Sequence, residues 1–132
     1  MTWFLDTNTC IFFLKGVSPR IARNMDRHGP RDIKIPSMVA AELILGAAKS
    51  AKARSSAEVI EKFLAPMEIV PFDRGAAECY ARIRADLERK GKTIGPNDLV
   101  IAATAFAHNA TLVTNNVREF KRVTGLAVTD WT

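Results

Sequence analysis

Short apolar runs alternate along this chain with longer segments of helical period. Trp3-Phe4-Leu5 is apolar at consecutive positions, as in a strand buried on both faces, and stops at Asp6-Thr7-Asn8, a strand-to-helix junction. A first helix is predicted over Thr9–Lys15, ended by Gly16. Ser18 then caps a second helix with Pro19 in its first turn; Ile21 and Met25 give it a buried side, and Gly29-Pro30 ends it. Ile33-Lys34-Ile35 alternates like a short strand, and Pro36-Ser37 opens a helix from Met38 to Ala48. The polar, small stretch Lys49–Ser56 suits a turn before a helix that runs to Leu64 and stops at Pro66. Glu68–Pro71 is a third strand candidate. Asp73 then caps a long helix with the stripe Ala76, Tyr80, Ile83 and Leu87, ended by Gly91. Gly95-Pro96-Asn97 forms a loop before an apolar helix, Asp98–Ala107, which Asn109 closes in the left-handed conformation. Thr111–Thr114 is a fourth strand and Leu126–Val128 a fifth.

Strands alternating with helices predict one three-layer α/β/α domain over residues 1–132, with a mainly parallel central sheet of four or five strands. In such sheets ligands bind beyond the carboxyl ends of the strands, where Asp6 and Asn115-Asn116 fall. Cys10 and Cys79 have neither metal-ligand spacing nor the density of a disulfide framework, which suits a reducing cytoplasm. No signal peptide or membrane span is visible, so the expectation is a soluble protein that stays where it is made. A P-loop is also missing, which argues against nucleotide hydrolysis of that kind.

Three carboxylates stand in unusual surroundings. Asp6 directly follows a buried strand; it can serve as a helix cap or as a site residue. Glu42 is the only charged residue from Pro36 to Ala48, and its helical neighbours Met38, Val39, Leu45 and Gly46 offer it no cation. A solvent-facing position on a mostly buried helix is the ordinary alternative. Asp98 is the only Asp, Glu, Lys or Arg between Thr93 and Val117, in a first turn where the helix dipole favours an anion in any case. Brought together, the three would repel one another unless a cation joined them. Hard oxygen donors suit Mg²⁺ or Mn²⁺ better than zinc. His28 and His108 lack any paired metal motif and read as surface residues. The net charge of +5, from 19 basic against 14 acidic residues, favours a polyanionic partner, more so if three carboxylates are committed to a site.

The segments Leu5-Asp6-Thr7-Asn8, Ala41-Glu42-Leu43 with Gly46, Gly95-Pro96-Asn97-Asp98-Leu99-Val100-Ile101-Ala102-Ala103, and Thr114-Asn115-Asn116 followed by Arg118-Glu119-Phe120 resemble PIN domains, and among them the VapC toxins. The likeness covers essentially the whole chain. It implies a Mg²⁺-dependent endoribonuclease, with Mn²⁺ as a substitute. Asp6, Glu42 and Asp98 would be the metal-binding acids, and Thr7, with Asn8 and Asn115, would support them. A fourth acid often follows the last core strand in this family. Here Asn116 occupies that place, which weakens a second metal site, and nothing in the sequence decides whether Glu119 substitutes. The resemblance further implies a VapB-like antitoxin partner, a homodimer, and a structured RNA target such as the anticodon loop of initiator tRNA.

In such a site the carboxylates stay ionised to hold the cation, and an activated water attacks phosphorus, leaving 5′-phosphate and 3′-hydroxyl ends. The basic surplus would grip RNA. Candidates are Lys49, Lys52 and Arg54 after the Glu42 helix, Arg89, Lys90 and Lys92 before the Asp98 loop, and Arg118, Lys121 and Arg122 after Asn116; a solvated face is the ordinary alternative for each. Three competing readings stand beside this one. A catalytically impaired PIN-like RNA-binding module is favoured by Asn116. A receiver domain lacks its paired acids after the first strand. A DNA-directed nuclease needs no 2′-hydroxyl.

Overall fold

The computed structural model describes residues 1–132. Its elements in chain order are β1 (Trp3–Leu5), α1 (Thr7–Lys15), α2 (Pro19–Asp32), β2 (Ile33–Pro36), α3 (Ser37–Ala48) and α4 (Ala53–Leu64). These are followed by β3 (Glu68–Val70), α5 (Arg74–Arg89), α6 (Pro96–Ala107), β4 (Thr111–Val113), α7 (Val117–Phe120) and β5 (Val128–Thr129). The five strands form one sheet in the order β3-β2-β1-β4-β5, every pairing parallel. Register places Phe4 beside Lys34 and Leu112, and Leu5 beside Val113.

Parallel strands need crossovers, and the helices that supply them cover the sheet. That covering explains the consecutive apolar residues. Phe4, Leu5, Ile33, Ile35, Val70, Leu112 and Val113 are all fully buried, and Ile21, Val39, Leu87, Ile101 and Phe120 pack onto them from the helices. Chain order reverses at β1, since β2 and β3 lie to one side of it and β4 and β5 to the other. The crevice between the carboxyl ends of β1 and β4 is therefore the switch point at which an open α/β sheet offers a ligand site.

Local chemistry set most boundaries as expected. The Ser18 hydroxyl accepts from the Ile21 N–H and Asp73 from the Ala76 N–H, each capping its helix, while Gly16 ends α1 with φ of +65°. Several boundaries differ from the sequence reading: α1 begins at Thr7 and α6 at Pro96, each two residues early, and β5 is Val128–Thr129 in place of Leu126–Val128. The helical run of α2 breaks at Gly29, where φ is +66°, but a short turn through Pro30 continues to Asp32. The turn after α3 is shorter than Lys49–Ser56, because α4 begins at Ala53. The one-turn helix α7 was not foreseen; four residues give too little periodicity to detect. His28 is also not a free surface residue: it is half-buried, its ring 3.8 Å from that of Trp3 and stacked 5.6 Å from Trp131. No helix is long and apolar enough to cross a membrane.

Asn109 joins α6 to β4 with φ of +52°, in the left-handed region. Replacing it with Gly should leave stability nearly unchanged, whereas Asn109→Val should cost about 1–2 kcal/mol in urea unfolding. Equal stability of the two variants would show that the backbone does not enforce this geometry.

Candidate active site

The site is built where β1 and β4 end. The Asp6 N–H still donates to the Val113 carbonyl (3.0 Å), so its backbone extends the sheet by one residue. Its carboxylate turns to cap α1, accepting from the Thr9 N–H at 2.8 Å. The Thr9 hydroxyl donates to the same Val113 carbonyl at 3.2 Å, locking the junction. Asp6 thus caps α1 while standing at the carboxyl end of β1. It is 6% exposed; burial pushes its carboxyl above the ordinary range, offset in part by hydrogen bonding from Thr114 and Thr9.

Glu42 reaches the crevice from α3, where it is half-buried. One carboxylate oxygen accepts from the Thr7 hydroxyl at 2.6 Å and the other from the Asn97 amide at 3.3 Å. Both partners lie beside other members of the cluster: Thr7 follows Asp6, and Asn97 precedes Asp98. Glu42 is therefore fixed by neutral donors, and no cation is involved.

Asp98 lies in the first turn of α6, half-buried, and its carboxyl is pushed up to about 6. Burial is the largest cause, followed by the charges of Glu119, Glu42 and Asp6 in that order. Glu119, Glu42 and Asp6, from three other segments, thus lie near enough to Asp98 to disfavour its charged form, and Asp130 acts on Asp6 in the same way. Without a counter-ion, burial and the neighbouring charges favour the protonated form of Asp98 more than in an ordinary carboxyl.

The fourth carboxylate is Glu119. Its oxygens accept from the Gly95 N–H at 3.2 Å and from the Asn116 amide. Asn116, expected to stand in directly for the missing acid, is exposed and aims its side chain at Glu119 instead. Its own N–H is held by the Thr114 hydroxyl at 2.9 Å. The turn formed by α7 is what carries Glu119 back toward Gly95, and that turn was invisible in the sequence. Asn8 and Asn115, expected as supporting residues, are exposed and make no side-chain hydrogen bond. Thr7 does contact an acid, donating to Glu42, and the other supporting contacts come from Thr9, Asn97, Thr114, Gly95 and Asn116.

No Lys or Arg forms a salt bridge with any of the four carboxylates. No group of three or more His, Cys, Asp or Glu side chains converges tightly enough to enclose an ion by itself. An uncompensated, all-oxygen and open cluster fits Mg²⁺ or Mn²⁺, which keep part of their water shell and use only some carboxylates directly. It does not fit a structural zinc site, which needs a closed set of Cys and His ligands. The neighbouring thiol of Cys10 is fully buried and pushed well above its ordinary range, so it stays neutral.

The basic residues separate into groups. Arg89 and Lys90 are both committed to Asp86, at 2.7 and 2.9 Å. Lys49 caps the end of α3 seven residues beyond Glu42, roughly 10 Å along the helix axis, and Lys52 and Arg54 follow in the next turn and at the start of α4; none of the three forms a salt bridge with the acids. Lys92, Arg118, Lys121 and Arg122 are exposed beside it and have no acidic partner.

Comparison with known proteins gives a consistent picture. The family model of the PIN domain matches residues 3–126. The chain is 39% identical to Ribonuclease VapC2 of Rickettsia felis, with 99% of this chain and 98% of that protein aligned. It is likewise 39% identical to the tRNA(fMet)-specific endonuclease VapC of Salmonella typhimurium, over 99% and 98%. Among solved structures, VapBC from Salmonella typhimurium bound to DNA superposes with a TM-score of 0.95 at 38% identity, covering 100% of this chain and 99% of that one. VapBC2 from Rickettsia felis, bound to a promoter DNA fragment, gives 0.93 at 38% identity and full coverage of both chains.

The raised pKa of Asp98 has a signed consequence for stability. The carboxyl titrates at its ordinary value of 3.8 when unfolded and at about 6 when folded. Between those values the folded state binds more protons, so stability falls as pH rises through the window and the full penalty is present above it. In metal-free buffer Asp98→Asn should therefore stabilise the protein at pH 7, on the order of 1 kcal/mol after allowing for solvent screening of a half-buried group. That advantage should disappear at pH 4. Thermal unfolding at both pH values checks this, and an Asn variant no more stable than wild type at pH 7 would rule out the repulsion.

Proposed function

This chain belongs to the PIN domain family, and from that premise we propose that it is a metal-dependent endoribonuclease, the toxin component of a toxin–antitoxin pair. The observation that carries the reading is the cation-free meeting of Asp6, Glu42, Asp98 and Glu119 at the switch point of the sheet. The VapC likeness supports RNA as substrate. The tRNA(fMet) specificity of the Salmonella typhimurium relative makes initiator tRNA, cut in its anticodon loop, the substrate to try first.

Asp6, Asp98, Glu42 and Glu119 would hold Mg²⁺ or Mn²⁺. When bound, the ion supplies Lewis acidity that makes a water nucleophilic near neutral pH and offsets charge on the phosphate. The chain's own residues do the positioning. Thr7 and Asn97 each give Glu42 one hydrogen bond and fix its orientation. Gly95 and Asn116 do the same for Glu119, and Thr9 holds Asp6. Such outer partners commonly change activity or ion affinity by about 10- to 100-fold when removed. Hydrolysis by water leaves 5′-phosphate and 3′-hydroxyl ends and needs no 2′-hydroxyl. Glu119 in the cluster counts against an inactive binding module, since Asn116 does not leave the site one acid short.

A VapB-like antitoxin is the proposed partner, supported by the VapBC complexes of the relatives. Glu42 sits at one end of an apolar groove walled by Ile11, Leu14, Leu43, Val59 and Ile60, a shape that suits a helix or extended segment closing over the acids. The family likeness also supports a homodimer and a cytoplasmic setting.

The test is cleavage of end-labelled total tRNA by purified, antitoxin-free protein with Mg²⁺, Mn²⁺ or EDTA. Discrete fragments that need the ion and bear 5′-phosphates are expected. Asp98→Asn should reduce the rate by about 100-fold or more. Equal cleavage by that variant, or 2′,3′-cyclic phosphate ends, would overturn the assignment.

A further inference from the structure

Beside the acidic cluster lies a cavity of about 460 Å³ lined by Gly91, Lys92, Thr93, Arg118 and Arg122, with no apolar and no acidic residue among them. Its walls are the loop after α5 and the segment around α7. The same two walls meet again at the cluster, where the Gly95 N–H holds Glu119, the residue next to Arg118. Arg118 and Arg122, four apart, share one side of this segment. The Arg122 guanidinium is set in place by donating to the Thr93 carbonyl at 3.0 Å.

We propose that this groove is a second phosphate seat, binding an RNA backbone phosphate next to the one at the acidic cluster through Lys92, Arg118 and Arg122. The inference rests on the ribonuclease reading above. Three cations line one groove, and none has a carboxylate within 4.0 Å, although Asp86 neutralises Arg89 and Lys90 a short way upstream. Keeping like charges together without counter-ions is unfavourable unless an anion joins them. A planar guanidinium already fixed by one carbonyl keeps its remaining donors pre-aligned for a phosphate. No aromatic ring lines the groove to serve as a stacking platform, and its charged donors suit phosphate, so the groove would read backbone and shape more than sequence.

Binding of a tRNA(fMet) transcript to the metal-free protein, measured by fluorescence anisotropy across about 50–200 mM salt, tests the seat. Lys92→Ala, Arg118→Ala and Arg122→Ala should each weaken binding about 3- to 10-fold and lower the slope of log K against log salt by about 1. In Mg²⁺ they should raise KM while kcat stays within about 3-fold. Lys62→Ala, an exposed cation on α4, should change neither quantity. The Lys92 side chain makes no hydrogen bond within the protein, and its backbone bond to the Leu87 carbonyl survives truncation, so its variant stays informative if Arg122→Ala loosens the loop.

Unchanged affinity and salt slope in the Lys92 and Arg118 variants, with cleavage intact, would overturn the seat and leave the ribonuclease reading standing. A fall in kcat alone would also overturn it, by placing these residues in the chemistry. Variants that keep RNA affinity but lose binding to a poly-glutamate peptide would reassign the groove to an acidic protein segment. A wild-type protein that neither binds nor cleaves the transcript or total tRNA would sink the ribonuclease reading itself, and the seat with it.

Discussion

Asp98 stands at the end of a buried sheet within reach of the charges of Glu119, Glu42 and Asp6, none of which is salt-bridged to a basic side chain, and the local structure holds these acids by neutral donors. The strand positions are dictated by burial: Phe4, Leu5, Leu112 and Val113 have to sit inside, so the chain emerges at Asp6 and Thr114 whatever follows. The acids are then pinned by neutral donors from hydroxyl, amide and backbone groups. Such donors fix geometry without cancelling charge. A lysine in their place would stabilise the empty protein and occupy the space a cation needs.

The same logic governs the surroundings. Cations are excluded from the cluster but gathered next to it, on α7 and the loop after α5, while Asp86 quenches the neighbouring pair Arg89 and Lys90. Negative and positive fields thus stand side by side within one crevice. Such an arrangement would draw in a polyanion and leave the acids free to hold a cation. Thr7, Asn97 and Gly95 each connect two segments of the site, so a change at one of them is felt at a carboxylate of another segment.

What the sequence makes legible, and what it hides, follows from the range of the signals. Buried parallel strands write themselves as runs such as Trp3-Phe4-Leu5, and caps such as Ser18 and Asp73 act over three residues, so both can be read locally. Asp6, Glu42 and Asp98 stand out because their neighbours are apolar. Glu119 does not, since it lies among Arg118, Lys121 and Arg122 and looks like any surface acid. Its role depends on a one-turn helix and on a contact with Gly95, 24 residues away. Asn97 is hidden in the same way, its partner Glu42 lying 55 residues upstream. His28 failed for a third reason: its stacking partners come from opposite ends of the chain.

The central claim is that these four carboxylates form one cation site. Calorimetric titration of the metal-free, antitoxin-free protein with Mn²⁺ tests it most directly, with Asp98→Asn and Glu119→Gln alongside. Saturable binding is expected, weakened in both variants. Proton release should grow as the pH is lowered from 8 to 6, where Asp98 becomes partly protonated. Folded protein that takes up no ion, or Glu119→Gln binding as tightly as wild type, would contradict the claim.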